Sequence, residues 1–115
     1  MYKASVILAE VNRLRKEYPD AVYNSNECSY SKGHVKNGPK TKGCIIGQAI
    51  RNVYPDLFKK IKLVYDGYEV NRIILGYKVD GSAKQINKLK NIQWHQDRKV
   101  PWGICGTQKG EEYVP

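Results

Sequence analysis

Three groups of apolar residues recur at helical spacing, and turn signals separate them. Ile7, Val11, Leu14 and Tyr18 form the first, with Leu8 widening the stripe. Ile45, Ile46, Ala49, Ile50 and Val53 form the second, and Ile86, Leu89 and Ile92 the third. A stripe at 3.6-residue spacing has to be buried against another element. With 115 residues and 41% apolar content, the chain holds enough material for one modest core. The expectation is a single small α+β domain, with about three helices packed on a short antiparallel sheet or hairpins. It spans residues 1–106, and residues 107–115 form a loose polar tail.

Local signals place the elements. Residues 3–17 read as a helix stopped by Pro19. Ala21-Val22-Tyr23 is a short extended stretch, and Asn37-Gly38-Pro39 marks a turn near a hairpin or exposed loop. The second helix runs from about Gly43-Cys44 to Val53, with Thr41 as one N-cap candidate. Pro55 opens a further short helix over residues 56–61. Lys62–Tyr65, Asp66-Gly67 and Tyr68–Val70 have the form of a two-residue hairpin, and residues 73–79 alternate like a strand ended by Asp80-Gly81. Ser82 and Gln85 have capping-box spacing for a last helix, which ends near Arg98. Trp94 and Trp102 are expected to pin the C-terminal loop to the core.

No apolar run reaches the length of a membrane span, and the N-terminal residues lack the pattern of a secretory leader. The three cysteines, Cys28, Cys44 and Cys105, are too few and too irregularly spaced for a disulfide framework or a structural zinc site. A reducing cytoplasm is the expected compartment, with no metal and no cofactor.

The chain carries 20 Lys and Arg against 11 Asp and Glu, a formal net charge of +9. The excess is local. No acidic residue lies between Glu27 and Asp56, an interval that holds Lys32, His34, Lys36, Lys40, Lys42 and Arg51. Asp80 to Asp97 is likewise free of acids and holds Lys84, Lys88 and Lys90. Such intervals either keep a surface solvated or serve a polyanion or an acidic protein face. The stretch Lys40–Gln48 is the sharpest candidate. The free amides at a helix start attract anions, the lysines before it add full charges, and glycine lets a ligand approach the backbone. Lys36, Lys40, Lys42, Gly43, Cys44, Gly47 and Gln48 are therefore the expected anion-binding residues. Their spacing is not that of a Walker A loop.

Tyr30, His34, His95, Asp97 and Trp102 are expected as further ligand or partner contacts. The nine tyrosines suit interfaces or base stacking as well as half-buried strand positions. A cysteine nucleophile at Cys44 with His34 or His95 as base is one alternative. Nucleic-acid binding without sequence preference is another. No catalytic residue is assigned.

One set of motifs points further. Tyr23, Cys28-Ser29-Tyr30 and Gly43-Cys44-Ile45-Ile46-Gly47-Gln48-Ala49, with the later Trp94, Gln96-Asp97 and Pro101-Trp102-Gly103, resembles a group of small bacteriophage and bacterial proteins. The likeness covers roughly residues 5–53 and 86–106. That group has no assigned activity. The resemblance implies a phage-type accessory protein in the bacterial host cytoplasm. It would bind an acidic host-protein surface or a phosphate-bearing nucleotide ligand and inhibit a host or defence factor. The same residues also have a folding role available: Asp97 or Gln96 bonding loop amides, and Trp102 covering one end of the core.

Overall fold

A computed structural model describes residues 1–24, 29–64, 73–74 and 76–114 of the chain. Helix α1 spans Ala4–Glu17 and buries Ala4, Ile7, Val11 and Leu14, the stripe expected from their spacing. Strands β1 (Val22–Asn24) and β2 (His34–Lys36) pair antiparallel, with Tyr23 opposite Val35. Both of those side chains are buried, so the two-stranded sheet turns one face to the core. Helix α2 spans Ile45–Val53 and α3 spans Pro55–Val64. Helix α4 spans Ala83–Asp97 behind the full Ser82–Gln85 capping box. A 3-10 turn at Trp102–Ile104 leads to α5, Gln108–Tyr113. The protein is thus an α+β domain, with α1 packed on α2 and α4, and α2 also on α3.

The middle of the chain departs from the expected strands. Lys62, Leu63 and Val64 belong to α3, where Leu57, Phe58 and Ile61 fall on one buried helical face. That face competes successfully with a local hairpin signal, because burying each large apolar side chain contributes about 2 kcal/mol. Ile73, Ile74 and Gly76 are helical, and the Tyr77 amide donates to the Ile73 carbonyl at 2.9 Å. Ile73 and Ile74 are adjacent and both buried, which an alternating strand does not allow. The turn and second arm expected over 65–70 lie outside the described residues.

Three other expectations shift. The Asn37-Gly38 turn follows β2 rather than joining it to β1, and Asn37 has a φ of 60°. Cys44, not Thr41, caps α2, because the chain enters helical geometry only after Gly43 at φ 114°. The segment expected to be loose after Thr107 forms α5, with Thr107 as its cap and Gly110 buried.

Trp102 is fully buried, as expected of a residue that pins the C-terminal loop. Its amide donates to the Ala21 carbonyl, and the Gly103 amide donates to Pro19, both at 2.9 Å. The half-buried Arg15 guanidinium donates to the carbonyls of Trp102 (3.0 Å) and Gly103 (3.3 Å). The Pro-Trp-Gly segment is therefore held between α1 and the turn that follows it. Trp94, by contrast, is 43% exposed.

Candidate functional site

The start of α2 is where the sequence places a ligand, and the structure fills that place with the protein's own groups. Residues 29–33 cross over the helix start. The Cys44 amide donates to the Ser29 carbonyl at 2.8 Å, and the Gly43 amide to the Gly33 carbonyl at 3.0 Å. The Ile45 amide faces Oε1 of Gln96 at 3.4 Å. The Gly47 amide donates to Sγ of Cys44 at 3.5 Å, and the Gln48 amide to the Cys44 carbonyl at 2.9 Å. All residues from Gly43 to Ile50 are buried. The amides expected to hold an anion are thus occupied and enclosed, and Gly43, Cys44, Gly47 and Gln48 do not form an open cradle.

The glycines here answer to crowding. A Cβ at Gly47 would overlap the Tyr30 carbonyl oxygen, and one at Gly43 would meet the same carbonyl group. Gln48 is also internal. Its Nε2 donates to the carbonyls of Thr41 (2.8 Å) and Gly43 (3.2 Å), and its Oε1 accepts from the Thr41 hydroxyl at 2.5 Å. Tyr30 is fully buried, and its hydroxyl accepts from Nε2 of Gln93 at 3.0 Å. The Tyr30, Gly-Cys-Ile-Ile-Gly and Gln-Asp motifs therefore meet in one buried polar seam between α2 and α4.

His95 extends that seam. It is fully buried, and its Nδ1 accepts the Gly106 amide at 2.7 Å. Nε2 therefore carries the ring proton. It lies 3.1 Å from Oε1 of Glu111, in ion-pair range but outside hydrogen-bond alignment. Gly110 sits directly over the imidazole. His95 thus docks α5, and Asp97, half-buried, accepts from the Gln96 amide group. Neither histidine hydrogen-bonds Cys44. His34 is exposed on β2, and the Cys44 sulfur is buried and engaged with Gly47. Burial pushes the Cys105 thiol up to about 12, against a smaller opposing effect of Arg15. Its Sγ–H faces the carbonyls of Val100 and Pro101 at 3.4 Å. A thiol held in this way is inert at neutral pH.

The lysines have the opposite fate. Lys32, His34, Lys36, Lys40 and Lys42 are all exposed. The Gly43–Gly33 hydrogen bond draws Lys32, His34 and Lys42 to one edge of the molecule, since they are the chain neighbours of the bonded pair. Arg51 joins them through a 3.2 Å bond from Nη2 to the Lys42 carbonyl, with its guanidinium 4.5 Å above the Phe58 ring. Lys36 follows on the outer face of β2, and Lys40 lies in the connecting loop. Among the described residues none of these cations has an ion-pair partner. No group of His, Cys, Asp and Glu among the described residues is arranged to hold a metal, and no helix is long and apolar enough to cross a membrane.

Glu111 and Arg98 were not singled out by sequence reasoning. Trp94 lies four residues after Lys90 and four before Arg98, which places all three on one helical face. That spacing was legible, but the approach of α5 from residue 108 onward was not. No family model matches the chain, and no curated protein or solved structure is significantly similar to it.

Proposed function

We propose that this is a binding protein that docks an acidic protein surface on the basic face formed by Lys32, His34, Lys36, Lys40, Lys42 and Arg51. The observation that carries the reading is the convergence of these exposed, unneutralised cations on one edge through the Gly33–Gly43 bond. Positive charge so grouped speeds encounter with an acidic partner and selects against basic ones. Occupied amides at the α2 start favour a broad charged face over a pocket for a single phosphate. The buried, engaged Cys44 likewise favours binding over thiol chemistry. The resemblance to small phage proteins supplies a setting, the bacterial cytoplasm, in which such a face would block a host factor.

The test is capture from bacterial lysate by the parent chain and by the Lys40→Glu/Lys42→Glu double variant. An acidic protein retained by the parent and lost by the variant supports the reading. Equal retention by both refutes it. A gel-shift series at rising salt serves the nucleic-acid alternative: retention of DNA or RNA with a steep salt slope would replace the acidic protein with a polyanion.

A further inference from the structure

A second surface, separate from the basic face, has its own chemistry. The outer side of α4 and the near side of α5 enclose a groove of about 580 Å³. Trp94 forms part of its wall and is 43% exposed, an unusual state for an indole on an otherwise polar helix face. Lys90 lies one turn before it and Arg98 one turn after.

Arg98 is held in place. Its Nη1 donates to the Trp94 carbonyl at 3.0 Å, and its Cζ lies 3.5 Å from the centre of the indole ring. This fixes the guanidinium over the aromatic face, with donors still directed elsewhere. The opposite charge comes from Asp97 and from Glu111, whose carboxylate stands beside Nε2 of His95. The groove therefore joins an aromatic surface, two cations and two carboxylates.

That combination excludes most ligands. An apolar ligand would desolvate four charges without pairing them. A bare anion would meet Asp97 and Glu111 as well as the cations. A ligand that satisfies the groove needs a flat ring, N–H donors on one edge and an anion at a distance from them. We propose that this groove binds a guanine nucleotide. The base stacks on the Trp94–Arg98 platform, its ring and exocyclic N–H groups donate to the carboxylates, and its phosphate pairs with Lys90 and the free edge of Arg98. The site is independent of the acidic-partner reading, because none of the Lys32–Lys42 cations lines it.

The experiment is calorimetry on the full chain with guanosine 5′-monophosphate, guanosine, adenosine 5′-monophosphate and inorganic phosphate as probes. Tryptophan emission follows in parallel, and the fully buried Trp102 supplies a constant background. Saturable binding of guanosine 5′-monophosphate is expected, tighter than that of the other three probes. Trp94→Ala and Arg98→Ala should each weaken it about tenfold, while Lys40→Glu/Lys42→Glu leaves it unchanged. The amide spectra of the variants check that they fold, and both substituted residues are exposed. A short guanine-containing single strand is the remaining arm. Tighter binding of that strand, still dependent on Trp94, assigns the base to a nucleic acid instead of a free nucleotide. No saturable signal at millimolar nucleotide, equal binding by inorganic phosphate, or parental affinity in Trp94→Ala overturns the proposal.

Discussion

Lys42 and Gly43 are neighbours in the chain, and they mark a boundary between two regions of opposite character. Before it, Lys36 to Lys42 run along the surface with their cations in water. After it, Gly43 to Ile50 are enclosed, and their amides bond to carbonyls, a thiol and a glutamine side chain from elsewhere in the fold. A basic loop running into a helix start suggests one continuous anion site. The structure divides the stretch into a surface and a joint. A helix end is an anion site only while its donors are unoccupied, and neighbouring chain is as good an acceptor as a ligand.

The sharpest way to break the contrast is to disturb the joint. Gly47→Ala places a methyl group against the Tyr30 carbonyl and should cost about 3 kcal/mol, read as a lowered thermal midpoint by circular dichroism. A midpoint equal to that of the parent would mean that residues 29–30 do not press on α2. Gln96→Ala leaves the buried Ile45 amide without its acceptor and should cost about 2 kcal/mol in urea unfolding.

A smaller effect belongs to α1. The Arg13 guanidinium holds the Glu10 carboxyl below its ordinary value of 4.5, with the Asn52 amide adding to it and burial opposing. A carboxyl lowered in the folded state stabilises the protein above that ordinary value, and the contribution is lost as pH falls through the lowered one. Glu10→Gln should therefore cost about 0.5 kcal/mol at neutral pH and nothing in strong acid, given the solvent screening of the exposed Arg13. Parallel pH–stability curves for the two proteins would contradict this. Smallest of all is the exposed side of the boundary. Lys40→Glu/Lys42→Glu should leave unfolding free energy within about 0.5 kcal/mol of the parent, whatever it does to binding. A larger loss would place those lysines in the joint rather than on the surface.

The elements read correctly from the chain are those whose signals are local. The α1 stripe, the α2 apolar face and the Ser82–Gln85 capping box each lie within a few residues and need no partner to be recognised. The errors have two physical sources. Over residues 62–64 a local hairpin pattern competed with a helix whose burial against α2 is a tertiary effect. At the α2 start, the group that meets the Ile45 amide is 51 residues away in sequence. Nothing in Lys40–Gln48 announces Gln96. The lysines, by contrast, were legible as an exposed group because charge seeks water whatever the fold. The Trp94 groove was half legible: its spacing on α4 could be read, but Glu111 arrives on a helix where a loose tail was expected.

The seam between α2 and α4 has a consequence for biosynthesis. Tyr30 waits for Gln93, and Ile45 waits for Gln96, so the first half of the polypeptide leaves the ribosome before its fasteners exist. A product terminated ahead of residue 93 has neither closure, and water takes their place at the opening turn of α2. The native architecture is therefore completed late, in a single step, when the final third of the molecule emerges and locks the earlier part behind it.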